Sequence, residues 1–401
     1  MISAGDRPEH LLNRALLLLA PAITIVVASE FIVVGLLPLV SQDLRIPLAK
    51  AGELAGWWAF SAAVAGPFVT LLASRMAPRV TLIATLLLFT LGNAVVAFTY
   101  DFNIMLAARA VQGAMLPAFV SVGASVVTRL AHPSEQGKKL ARANIGFVLG
   151  VILALPASVV LAQGGAWRLP FIVLAVASLP MALLVALFFP RLTENKTAGI
   201  GGQLGLLRQP LFLAHLALSA MLFSGMFAAY TYLGAWIEQA FGLPGWLMAL
   251  VLFLYGAAGL AGNTIAGRFA DSAPVRATLA TMLILVAAIN LTALSGASLL
   301  LAVLPLAIWS ISHTASVTLC QVRVTLAGKD APSFAMTLNI SVANLGIAIG
   351  TVGGGWVIDS QGIGAIGIAP IGFAIVALPL IMLIGRDATS RQPVPTAPGR
   401  T

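Results

Sequence analysis

Charged side chains are scarce in this chain. Of 401 residues only 9% are Asp, Glu, Lys or Arg, while 60% are hydrophobic; a water-soluble domain carries about 25% charged residues. That leaves too little polar surface to cover a soluble globule. The single Cys320 excludes an intrachain disulfide, and its apolar sequence neighbours make it a packing residue. No Cys/His spacing suggests a metal centre. No G-x-x-x-x-G-K-[ST] loop is present, so ATP is not a direct energy source. No aqueous stretch is long enough to carry a Ser/His/Asp set. No pair of carboxylates or histidines at an interface suggests an enzyme. The net charge is +9, but the basic residues sit in short clusters between long apolar runs. That pattern belongs to a membrane protein rather than a nucleic-acid binder.

What the chain has in abundance is apolar runs. About 20 apolar residues span a bilayer as a helix. Twelve runs qualify: 15–40, 53–74, 79–99, 103–128, 141–163, 168–190, 211–236, 246–268, 276–295, 298–320, 334–357 and 363–385. The one long polar connection, 191–210, separates an N-terminal half (1–190) from a C-terminal half (211–385), with a tail at 386–401. Basic residues set the orientation. With the N-terminus cytoplasmic, eighteen of the 22 Lys and Arg fall inside, three (Arg45, Lys50, Arg168) fall outside, and Arg109 lies within a span. The positive-inside rule then places both termini in the cytoplasm. Gly362 to Gly367 matches the dinucleotide pattern G-x-G-x-x-G, but no strand precedes it, so it reads as the start of span 12.

The two halves repeat each other. NIGFVLG (144–150) returns as NLGIAIG (344–350), offset by 200 residues. Ala73-Ser74 with Arg79 returns as Ala270-Asp271 with Arg276, offset by 197. Two nearly equal offsets indicate duplication of a whole six-helix unit. Gly146 and Gly150, and likewise Gly346, Gly350 and Gly354, each share one helix face. Small residues let helix backbones approach closely in lipid, so these faces are expected at close helix crossings. Two halves meeting at glycine-lined helices is the architecture of a rocking transporter, so the spans carrying Gly150 and Gly350 are expected to pack against the opposite half.

Along residues 12–385 the sequence resembles the major facilitator superfamily, and within it the drug–proton antiporter branch of sugar, purine and drug exporters. Glu30-Phe31 with Gly35-Leu36-Leu37-Pro38 resembles the family's first-helix signature. LASRMAPR (72–79) resembles its loop motif Gly-x-Leu-Ala-Asp-Arg-x-Gly-Arg-Arg, with Leu72, Ala73, Arg75 and Arg79 matching and Ser74 where the family has aspartate. GRFAD (267–271) keeps Gly267, Ala270 and Asp271 next to Arg268. Arg109, Gln112 and Gly113 match Arg-x-x-Gln-Gly. Gly150 to Pro156 is similar to the antiporter motif, with Ala157 and Ser158 in place of glycine, and Trp167-Arg168-x-x-Phe171 also fits the branch. The resemblance implies an all-α membrane protein with twelve helices in two pseudo-symmetric bundles. It also implies that the loop residues latch the halves on the cytoplasmic side, with Asp271 carrying more of that role because Ser74 has no charge.

A charge at the bilayer centre costs at least ~2.5–3.5 kcal/mol, so intramembrane ionisable residues are functional candidates. Glu30 and Arg109 lie at compatible depths in spans that neighbour each other in this fold. They read either as a static ion pair or as a proton carrier with its tuning cation. A nearby cation favours the ionised carboxylate and apolar burial the neutral acid, so a small movement shifts the balance. Candidate substrate contacts are Asn144, Tyr230, His313, Asn339 and Asn344, each with the alternative of helix packing; His215 reads as interfacial. The expected function is export of a small molecule (a sugar, nucleobase or nucleoside, or amphipathic drug) by proton antiport across the inner membrane. The alternative is an uncoupled facilitator on the same fold. The expected partners are that substrate, protons and lipid, without nucleic acid, cofactor or metal, and the expected state is a monomer.

Overall fold

The computed structural model describes residues 6–132, 135–192, 205–270 and 273–390. The expected linker therefore lies mostly outside the described residues, as do Asp271 and most of the tail. Among the described residues all regular structure is helical. Among the described residues eleven helices are long and apolar enough to cross a bilayer: Glu9–Gly35 (span 1), Pro78–Phe98 (3), Phe102–Leu130 (4), Lys138–Leu161 (5), Leu169–Phe188 (6), Pro210–Phe241 (7), Gly245–Phe269 (8), Pro274–Leu294 (9), Leu299–Ala327 (10), Phe334–Gln361 (11) and Ile363–Arg386 (12). Span 2 is a pair, Leu48–Val64 and Gly66–Ala73, bent by 53°. The bend has a local cause. Pro67 has no N–H for the helix ladder, and Pro117 of span 4 packs where a side chain on residue 66 would stand, 2.7 Å from that Cβ position. Prolines also open spans 3, 7 and 9, where a missing N–H costs nothing.

The duplication has a geometric counterpart. Spans 4 and 10 are both 29 residues long and both begin after a side-chain cap, Asp101 and Ser298. Spans 1 and 7 both break near the end away from the termini. Helix Asp6–Phe31 passes into the 3-10 turn Ile32–Gly35, and helix Pro210–Tyr230 is followed by Leu233–Phe241. The repeated glycines form matching seams. A Cβ on Gly146 would lie 2.1 Å from the Ala20 carbonyl, and one on Gly346 would lie 2.4 Å from the Ala220 carbonyl. Gly150 packs on Thr24 and Val27, and Gly350 on Ser224. Thr24 and Ser224 each donate to the carbonyl four residues earlier, at 2.9 Å in both cases.

Gly150 and Gly350 thus occupy equivalent close crossings, but both face inside their own half, joining span 5 to span 1 and span 11 to span 7. Contact between the halves uses other faces of spans 5 and 11, against spans 8 and 2. There different glycines make the approach. A Cβ on Gly256 would lie 3.3 Å from Ile152 Cα, one on Gly245 would lie 3.2 Å from the Gln163 amide, and one on Gly355 would lie 2.9 Å from Ala49. Gly52 seats the Tyr232 hydroxyl, which donates to the Thr351 carbonyl at 2.9 Å, and Gly234 backs onto Val34. All of these approaches lie between the membrane middle and the end away from the termini. Pro156 contributes by removing the helix bond to the Ile152 carbonyl, at the point where Gly256 arrives.

Candidate functional site

Arg109 and Glu30 are brought together, but not as an ion pair. The guanidinium is fully buried and binds backbone. Its Nη1 donates to the Ser29 carbonyl at 2.5 Å, its Nη2 to the Glu30 carbonyl at 3.0 Å and its Nε to the Leu54 carbonyl at 3.3 Å. Its flat face lies 4.1 Å from the Trp58 ring. No contact within 4.0 Å joins it to the Glu30 carboxylate. The reason is positional. Span 1 leaves α-helical geometry right after Phe31, and carbonyls at a helix end lack intrahelical donors. A planar fork with five donors meets such carbonyls better than a point charge does.

The rest of Arg-x-x-Gln-Gly anchors two further helices from the same stripe. Gln112 is buried, donates to the Phe89 carbonyl of span 3 at 3.5 Å, and fills the space left by Gly92. Gly113 lets span 2 in, since a Cβ there would lie 2.2 Å from the Trp58 carbonyl. Asn93 completes the set by donating to the Ser29 hydroxyl at 3.1 Å.

The Glu30 carboxylate itself has no hydrogen-bond partner among the described residues and is half-buried. It lies within electrostatic reach of Arg109 and of Tyr230 from the other half. Phe31 meets the Tyr230 ring edge-on at 6.2 Å. Tyr230 opens an aromatic cluster: His313 at 4.9 Å, Phe227 at 5.3 Å and Tyr255 at 6.1 Å, with Trp309 at 5.8 Å from Tyr255. Ser310 donates to the Tyr255 carbonyl, binding span 10 to span 8. Three buried polar atoms in this cluster have no partner among the described residues: Tyr255 Oη, Trp309 Nε1 and His313 Nδ1. Leaving such a group unmatched costs ~1–3 kcal/mol, so each of the three is a group that a bound molecule could satisfy. Tyr255 and Phe227 were not singled out in the sequence. The available signal was that Tyr255 is one of four tyrosines and falls in mid-span, where an aromatic belt does not reach.

The other candidates are spread out. Asn339 and Asn344 each bury an unpartnered Oδ1 on span 11, and Asn344 donates back to the Ile340 carbonyl. Among the described residues no hydrogen bond or ring contact joins either to the aromatic cluster. Asn144 is exposed on span 5. Ser74 ends the helix Gly66–Ala73 and donates back to Leu71 at 2.7 Å, so it does not cap the next helix. Arg75 and Arg268 are exposed and Arg79 is half-buried.

Two assignments change. Arg323, counted from sequence with the cytoplasmic loops, is 1% exposed within span 10. It donates to the His215 carbonyl at 2.9 Å and to Ser219 at 2.9 Å, and it contacts His215 Nδ1 at 3.0 Å. His215 is accordingly buried rather than interfacial. In each half, then, a buried arginine from the fourth helix grips the backbone of the first. At the opposite end, Asp43 accepts from the Trp167 indole at 3.0 Å and from Arg168 at 2.6 Å. The Arg168 hydrogen bond, with that of Trp167, holds the Asp43 carboxyl below the usual carboxylate range.

Two pseudo-symmetric six-helix halves around a buried polar cluster at their junction define a secondary transporter. The profile of the Major Facilitator Superfamily matches residues 19–329, and the chain belongs to that family. It is therefore a membrane transporter and not an enzyme. It is 29% identical over 375 residues to the Inner membrane transport protein YdhP of Escherichia coli (strain K12), covering 93% of this chain and 95% of the relative. It is 30% identical to a Chloramphenicol resistance protein of Streptomyces lividans (84% and 86% covered) and 26% identical to a Probable sugar efflux transporter of Pasteurella multocida (89% and 88%). The fold matches a bacterial homologue of the human lysosomal transporter Spinster, in an inward-facing and unoccupied conformation, with TM-score 0.79, 14% identity and coverage of 96% and 99%. It also matches a point mutant of the nucleoside transporter NupG, with TM-score 0.75, 10% identity and coverage of 94% and 99%.

Proposed function

We propose that this protein exports a small, neutral or weakly cationic molecule from the cytoplasm in exchange for protons, and that Glu30 carries the proton. The observation behind this reading is the Glu30 carboxylate. It stands beside the buried Arg109, at the point where span 1 leaves α-helical geometry. It has no hydrogen-bond partner among the described residues, and it stands within electrostatic reach of Tyr230 of the other half. A carboxylate free of a fixed counterion can pass a proton to water, while Arg109 keeps the helix break beneath it rigid. Substrate then meets the Tyr230, Tyr255, Trp309 and His313 cluster. With both termini cytoplasmic in the inner membrane, the packed end is periplasmic and the bundle opens inward, ready to load substrate. The name of one relative, a probable sugar efflux transporter, supports export; another relative is named for resistance to chloramphenicol.

The test is transport in vesicles under an imposed pH gradient. Glu30→Gln mimics the neutral acid and cannot cycle. It is expected to abolish uphill accumulation while leaving passive exchange of a bound substrate in place. Proton-driven accumulation by Glu30→Gln at the wild-type level refutes the assignment. Wild-type transport that ignores the gradient indicates a facilitator instead.

A further inference from the structure

We propose that the groove between the terminus-side ends of spans 1 and 5 binds an anionic phospholipid, with its phosphate between Arg14 and Arg142. The groove has a volume of about 760 Å³; His10, Arg14 and Arg142 line it together with Leu17, Pro21 and Ile145. Both guanidiniums are exposed, and neither makes a hydrogen bond or ion pair among the described residues. Beside them, Leu17 is 75% and Ile145 is 51% exposed. Two unpaired cations over an open apolar channel are a poor surface for water alone and a good one for a charged head on an acyl chain.

Depth agrees with this occupant. Arg14 lies five residues into the span Glu9–Gly35, or roughly 7–8 Å from its end at 1.5 Å per residue. That is headgroup depth, where juxtamembrane Arg and Lys attract anionic lipid. The groove also has a structural origin. Gly146 holds span 5 hard against Ala20, one turn beyond Arg142. The glycines of span 8 approach at Ile152 and at Gln163, just past the end of span 5, both on the far side of Gly146 from Arg142. A free phosphate would match the cations but not the channel, and a zwitterionic lipid the channel but not both cations. The proposal does not depend on proton coupling.

The test is native mass spectrometry of the purified full-length chain in detergent, titrated with phosphatidylglycerol or phosphatidylcholine. Replacing both arginines in Arg14→Gln/Arg142→Gln is expected to weaken phosphatidylglycerol binding by roughly 30-fold and to leave phosphatidylcholine unchanged. Arg208→Gln/Arg276→Gln removes two exposed cations elsewhere in the chain and is expected to change binding by less than about twofold. Glycerol phosphate in excess is expected to leave the lipid bound. Undiminished lipid in the Arg14/Arg142 variant overturns the proposal. So does an equal loss in the control variant, equal binding of phosphatidylcholine, or displacement by glycerol phosphate.

Discussion

Arg109 separates two mechanisms by a measurement that needs no substrate. If it acts as a counterion for the Glu30 carboxylate, its loss matters only while that carboxylate is present. If it clamps the break in span 1 through backbone carbonyls, its loss is independent of the residue-30 side chain. The geometry supports the clamp, with three carbonyls from two helices on one guanidinium. Hydrogen bonds from a charged donor contribute about 1.5–3 kcal/mol each, so three sum to roughly 4.5–9 kcal/mol. Removing a charge from the membrane interior returns about 3 kcal/mol of insertion cost. Arg109→Gln is therefore expected to destabilise by roughly 2–6 kcal/mol. The assay is equilibrium unfolding in mixed detergent micelles of wild type, Arg109→Gln, Glu30→Gln and the double variant. The two losses are expected to add, with a coupling below about 0.5 kcal/mol. A coupling above about 1 kcal/mol refutes the clamp and restores the ion pair. Arg109→Lys is expected to recover only part of the stability, because an ammonium cannot span carbonyls on spans 1 and 2 with the geometry of a fork.

At the glycine seams, the neighbour that a new Cβ meets sets the order of damage. Gly146→Ala and Gly350→Ala drive a methyl into backbone, at 2.1 and 2.3 Å, whereas Gly150→Ala meets mainly the Val27 side chain at 2.8 Å. Overpacking costs typically 1–3 kcal/mol, so the first two are expected to lose monodisperse protein on size exclusion, and Gly150→Ala to keep more of it. For the outer anchor, the depressed Asp43 pKa means the ionised form is favoured by folding. Its contribution is complete above the unfolded value of about 3.9 and fades as pH falls through the lower folded one. The stability difference between wild type and Asp43→Asn is therefore expected to be flat from about pH 5 to 8 and to shrink below about pH 4, read from melting midpoints across that range.

Length, hydropathy and the repeat of NIGFVLG as NLGIAIG are one-dimensional properties, and they were enough for the fold. A chain with this little charge has to bury its backbone in helices across lipid, and the two nearly equal offsets made the halves copies of each other. The same properties placed Glu30 and Arg109 at compatible depths. They did not decide how the two residues meet. That depended on where span 1 stops being α-helical, because the freed carbonyls of Ser29 and Glu30 took the guanidinium that the carboxylate was expected to hold. Nor did they decide which way the glycines face. A stripe of small residues looks alike whether it meets a partner inside its own half or across the junction; only the rotation of spans 5 and 11 turned it inward to spans 1 and 7. Arg323 looked like a loop residue because it stands four residues before the end of span 10, yet packing against His215 and Ser219 buried it. The aromatic cluster of Tyr230, Tyr255, Trp309 and His313 comes from three helices. Its residues become neighbours only when those helices pack.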